Sequence, residues 1–164
     1  MTAPTTDNGK ILLEVKGLKK YFPIKKGFLK KVVGNIRAVD DVSFYINEGE
    51  TLGLVGESGC GKTTLSKLIL RAVGADSGEI KFNDRGQEID VRALSTAQLI
   101  PFRRKIQFIF QDPFGSLNPR MTVYDIVAEP LIIHRVGDKQ ERREFVQELM
   151  RLVGLDPRYL RRYP

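Results

Sequence analysis

The chain has 164 residues, with 27 Lys+Arg against 20 Asp+Glu and a formal net charge of +7. That length suits one domain with a buried core. At 41% apolar and 29% charged, with a single cysteine, the composition excludes a disordered acidic tail, a collagen-like chain and a disulfide scaffold. No apolar run reaches the roughly 18 residues a membrane span needs. The start, MTAPTTDNGK, is polar and has no apolar signal core, and one unpaired cysteine fits a reducing compartment.

The positive charge is concentrated. Between Val15 and Val39 there are eight basic residues and no acid: Lys16, Lys19, Lys20, Lys25, Lys26, Lys30, Lys31 and Arg37. The remaining residues hold 19 basic and 20 acidic groups, a balance of −1. A body that is basic throughout, as in a nucleic-acid coat, is excluded, and no specific nucleic-acid partner is expected.

In chain order, residues 1–10 read as a tail and Ile11–Val15 as a short strand. Residues 19–35, with their Lys pairs, Pro23, Gly27 and Gly34, read as a basic loop or hairpin, and 36–46 as a strand. Asn47–Glu50 is a turn, and Thr51–Val55 a short buried strand. A glycine-rich stretch leads into a helix over 62–73, with Gly74 as its left-handed terminus. Residues 79–82 and 87–90 pair around Asn83–Gly86. Ser95 with Gln98 opens a helix that Pro101 limits, and Lys105–Phe110 reads as a strong strand. Thr122 with Asp125, and Asp138 with Glu141, open two more helices. The second has Phe145, Val146, Leu149, Leu152 and Val153 on its apolar face and stops at Gly154; Asp156-Pro157 starts a further helical turn.

The pattern of strand, glycine loop and helix points to an α/β nucleotide-binding core. Gly56-Glu57-Ser58-Gly59-Cys60-Gly61-Lys62-Thr63 fits the phosphate-loop pattern G-x-x-x-x-G-K-[ST]. Glycines let successive N–H groups turn inward onto phosphate oxygens, and a helix N-terminus adds partial positive charge. Lys62 is placed to reach the β- and γ-phosphates, and the Thr63 hydroxyl to ligate Mg²⁺. Cys60 reads as a small residue in a slot the pattern leaves free. At the end of the 106–110 strand two readings stay open: Asp112 as the Mg²⁺-ligating aspartate, or Gln111 reaching Mg²⁺ or the attacking water.

The residues that follow carry a resemblance. The run Ile109-Phe110-Gln111-Asp112-Pro113-Phe114-Gly115-Ser116-Leu117-Asn118-Pro119 resembles the glutamine loop of ATP-binding-cassette (ABC) transporter ATPases, in the dipeptide, oligopeptide and nickel importer branch. The phosphate loop through Thr64 and Leu65, Ala38–Phe44 and Asp76–Ile80 are similar to the same branch, and the resemblance runs from about Ile11 to Pro164. The Lys-rich segment 19–35 looks more like the second of the two paired ATPases in such importers.

The resemblance implies a P-loop ATPase core with an antiparallel β-subdomain over 11–112 and the beginning of a helical subdomain over 113–164. It implies ATP and Mg²⁺ as ligands, held by Gly56, Glu57, Ser58, Gly59, Cys60, Gly61, Lys62, Thr63 and Thr64. Phe22 would stack on adenine, with Tyr21 the lesser candidate. Lys62 and Gln111 would be the catalytic residues, and Thr63 and Gln111 the metal ligands. It further implies a second ABC ATPase subunit and permease subunits met through 112–130, at the cytoplasmic face of a prokaryotic membrane.

The sequence has no Ser-Gly-Gly-Gln signature, no apolar strand ending in Asp-Glu and no switch histidine: His134 lies too early, and neither Glu57 nor Glu129 is taken as general base. The chain therefore reads as the front part of a longer ATPase, expected to bind ATP·Mg²⁺ weakly without turning it over. Two alternatives are weighed beside this. One is a self-contained small-molecule kinase on the same core. The other is a nucleic-acid or membrane-surface binder using 16–37, for which a solvated loop of the β-subdomain is the preferred reading. A GTPase is disfavoured because no Asn-Lys-x-Asp guanine reader occurs.

Overall fold

The computed structural model describes residues 10–27, 31–110, 112 and 115–164. They form two compact units, Met1–Ile106 and Gln107–Pro164.

The first unit is built on a four-stranded antiparallel sheet in the order β2-β1-β3-β4. Its strands are β1 (Ile11–Lys26), β2 (Lys31–Asn47), β3 (Ser77–Asp84) and β4 (Gln87–Asp90). β1 and β2 pair antiparallel from Ile11–Asn47 out to Lys26–Lys31, so the described residues of the 19–35 segment are mostly paired backbone. The β3–β4 hairpin turns at Arg85 (φ 53°) and Gly86 (φ 97°), with Asp84 opposite Gln87, at the four residues the sequence marks. Asn47–Glu50 closes as expected, through Glu50 N–H to the Asn47 carbonyl and Asn47 N–H to the Glu50 carboxylate.

On the inner face, Leu13, Val15, Leu18, Val39, Ile80 and Phe82 pack with Leu65 and Leu68 of α1 (Lys62–Ile69) and Leu99 and Phe102 of α2 (Thr96–Phe102). Val15, Leu18, Leu68 and Ile80 are at most 1% exposed. Each such side chain contributes about 1.5–3 kcal/mol by leaving water. Phe82 and Phe102 meet edge to face, with ring centroids 5.6 Å apart.

The second unit holds α3 (Val123–Ile133), α4 (Lys139–Leu152) and a 3₁₀ turn, Pro157–Arg161. They close over Ala128, Val146, Met150 and Leu160. The three helix starts that the sequence marks by a residue pair, at Ser95, Thr122 and Asp138, are complete capping boxes.

Four expectations are corrected. Thr51–Val55 and Lys105–Phe110 form no strand: Leu54 is 51% exposed, Val55 91% and Ile109 93%. A parallel-type strand is stable only with hydrogen-bonded neighbours on its flanks, and neither run has a ladder among the described residues. α1 ends at Ile69, four residues early, and the left-handed residue that ends it is Arg71 (φ 51°), not Gly74. The buried residues of α4 are Val146 and Met150, while Phe145, Leu152 and Val153 stay exposed. Pro101 lies in the last turn of α2, which ends one residue later at Phe102, as expected.

Candidate functional site

The loop from Gly56 to Thr64 joins the exposed 51–55 run to α1. Three of its glycines take positive φ: Gly56 (156°), Gly59 (81°) and Gly61 (101°). The last two are conformations side chains resist. At two of the three, space is also the constraint. A β-carbon on Gly56 would lie 2.7 Å from the Cys60 Sγ, and one on Gly61 2.0 Å from the Ala38 carbonyl oxygen.

Lys62 folds back over this loop. Its ammonium donates to the carbonyls of Gly56 (2.7 Å) and Glu57 (2.6 Å) and lies 3.5 Å from the Cys60 sulfur. The cation is thereby held among the backbone atoms that turn around it. Thr63 is exposed and Thr64 half-buried in the first turn of α1.

The four described α-helices differ in one respect. In those beginning at Thr96, Val123 and Lys139 the Ser95, Thr122 and Asp138 side chains accept from first-turn amides, of Gln98, of Asp125, and of Gln140 and Glu141 respectively. The helix beginning at Lys62 is capped by Gly61, with no side-chain hydrogen bond and no acid in its first turn. No side chain caps its N-terminal amides, which is the arrangement an anion needs. With Lys62 beside them, these groups fit a polyphosphate, and the Thr63 hydroxyl at the same helix end fits a divalent cation bound with it.

Phe22 belongs to the outer half of β1. It pairs with Ile36, is 37% exposed and carries the Lys20 ammonium 5.4 Å above its ring. The strand is pinned just before it: the Asp76 carboxylate accepts from Lys20 Nζ (2.8 Å) and from the Tyr21 N–H (2.7 Å). These bonds hold the Asp76 carboxyl below its ordinary range, the Lys20 ammonium being the larger cause. Tyr21 is otherwise engaged. Its hydroxyl donates to Asp40 at 2.5 Å, which raises the phenol's pKa and lowers that of the carboxyl.

Sequence reasoning missed Ala38. Consecutive Lys20 and Tyr21 face Val39 and Arg37, so Ala38 is the extra residue of a β-bulge, and its carbonyl abuts Gly61. β2 thus ties the phosphate loop to the stretch of β1 that ends at Phe22. No local signal marks this, because a bulge is a property of the pair of strands. Gln111 lies outside the described residues, while Asp112 accepts the Gly115 N–H at 3.2 Å.

The ABC transporter family matches residues 39–164. The chain belongs to the ABC transporter family. It is 50% identical over 154 residues to an oligopeptide transport ATP-binding protein of Bacillus subtilis (strain 168), covering 93% of this chain and 47% of that protein. A second oligopeptide transport ATP-binding protein of that organism is 46% identical over 161 residues, covering 98% and 48%. A glutathione import ATP-binding protein of Pectobacterium atrosepticum is 46% identical over 153 residues, covering 93% and 24%. The chain therefore spans about half the length, or less, of these relatives.

Among solved structures, the dimeric post-hydrolysis state of an ATP-binding cassette bound to ADP and Pi superposes with a TM-score of 0.71 at 29% identity. It covers 93% of this chain and 62% of that one. A dimeric bacterial ABC transporter cassette gives 0.72 at 28% identity, with the same coverage. The fold is that of an ABC ATPase cassette, and nothing in these comparisons supports the small-molecule kinase.

Proposed function

We propose that this chain is the phosphate-loop part of a peptide-importer ATPase and binds ATP with Mg²⁺. The observation that carries the reading is the α1 N-terminus: alone among the chain's four described α-helices it has no side-chain cap, and it opens on the loop that holds the Lys62 ammonium. Lys62 and the backbone amides of 59–64 would hold the phosphates. Thr63 and Gln111 would ligate Mg²⁺, whose charge offsets that of the phosphates. Phe22 would cover adenine. Gly56, Glu57, Ser58, Gly59, Cys60, Gly61 and Thr64 would contribute chiefly backbone, since glycine conformations and close approaches define their part of the loop.

In the longer protein, nucleotide binding would draw two ATPase subunits together and hydrolysis would release them. The motion would pass to permease subunits through 112–130 at the cytoplasmic face of the membrane. The oligopeptide and glutathione importer ATPases among the relatives support this partnership. The choice of solute would rest with the permease and an external binding protein.

Titration with a fluorescent ATP analogue in Mg²⁺ tests the reading. Saturable binding that Lys62→Ala weakens at least tenfold supports it, the loss expected when a charge-assisted phosphate contact is removed. Binding indifferent to Lys62 overturns it. Phosphate release tests the division of labour: robust, Lys62-dependent hydrolysis by the 164-residue chain alone would show that it already holds a complete catalytic set.

A further inference from the structure

The basic segment has two different halves. At the base of the β1–β2 hairpin the cations are neutralised: Lys16 pairs with Glu14, Lys19 with Asp41, Lys20 with Asp76 and Arg37 with Asp40. Beyond Tyr21 and Arg37 the pairing stops. Lys25, Lys26 and Lys31 are exposed and have no ion pair among the described residues, and no acid occurs in the sequence between Glu14 and Asp40.

The same outer half exposes apolar side chains that no core claims. Ile24 is 38% exposed, Val32 53%, Val33 55% and Ile36 57%. Lys25 faces Val32 and Lys26 faces Lys31 across the ribbon, and Val33 is the extra residue where the register shifts between Ile24 and Lys25. A two-stranded ribbon with bare apolar faces is a poor free-standing element in water. A solvated loop, the role preferred from sequence, would have no use for four exposed β-branched residues beside three unpaired lysines.

We infer that the outer half of this hairpin docks on an anionic membrane surface. Lysine point charges would meet lipid phosphates while Ile24, Val32, Val33 and Ile36 enter the headgroup boundary. No arginine lies beyond Arg37 among the described residues of this half, and nucleic-acid recognition leans on guanidinium forks, so a lipid surface is favoured over nucleic acid. The inference does not use the nucleotide site, so loss of ATP binding leaves it standing and loss of membrane binding leaves the nucleotide reading standing.

Co-sedimentation of the full chain with vesicles tests it, using phosphatidylcholine alone and phosphatidylcholine with about a third phosphatidylglycerol. Binding is expected to the anionic vesicles only and to fall as salt is raised. The triple variant Lys25→Gln/Lys26→Gln/Lys31→Gln should lose about fivefold per lysine, on the order of a hundredfold in all. Val32→Ser/Ile36→Ser should also weaken it, with the thermal midpoint of each variant confirming the fold. Equal binding to neutral vesicles, binding unaffected by either variant or by salt, or no binding at all would overturn the inference. So would lysine-dependent retention of DNA under conditions where vesicles are not held.

Discussion

Gly61 sits against the bulge carbonyl of Ala38 so closely that a β-carbon there would lie 2.0 Å from its oxygen. The obstacle is backbone, which cannot swing aside as a side chain would, and Gly61 also has φ 101°. Gly61→Ala should therefore cost about 2–4 kcal/mol, from overpacking plus backbone strain. Urea unfolding followed by circular dichroism checks the cost, and nucleotide titration should show the loop's affinity falling with it. Gly59→Ala is the control: its β-carbon would meet nothing within 4 Å, so it carries only the strain of φ 81°.

Substitution of Phe22 tests base contact against phosphate contact. If its exposed ring covers adenine, Phe22→Ala should weaken ATP binding by about 1–3 kcal/mol and leave inorganic tripolyphosphate binding unchanged. Competition of both ligands against one fluorescent nucleotide reads the difference. Equal loss for the two would assign Phe22 to packing.

Asp76 predicts an acid limit. Its folded pKa lies below the ordinary carboxylate value because Lys20 and the Tyr21 N–H bond to the charged form. A depressed folded pKa contributes stability above the unfolded value, about 4, and that contribution is lost as pH falls through the lower folded value. Melting temperature should thus fall as pH drops below about 4. Asp76→Asn should be less stable at neutral pH and show a shallower fall. A parallel pH profile for the two proteins would deny Asp76 this part.

The capping boxes at Thr122 and Asp138 each satisfy backbone donors of one helix in the second unit. Thr122→Ala and Asp138→Ala should each cost about 1 kcal/mol. Hydrogen exchange should register the change among amides of 122–161, with Leu13, Val15 and Ile80 of the first sheet unaffected.

What the sequence determined by itself is what is settled within a few residues of chain. Three capping boxes and the turn at Arg85-Gly86 are read correctly, because donor and acceptor, or the required φ, lie inside a window of about four residues. Tertiary structure decided the rest. Ile106–Phe110 has the composition of a strand yet forms none, since a ladder needs a second backbone that apolar composition does not supply. α4 buries Val146 and Met150 rather than Phe145 and Leu152, because Ala128 and Leu160 choose which edge of a broad apolar stripe is covered. The bulge that sets Ala38 against Gly61 comes from the register of two long strands. The division of the basic segment into a neutralised base and an outer half whose described lysines have no ion pair rests on Asp41 and Asp76, which lie beyond that segment in the sequence and are brought to it only when the sheet closes.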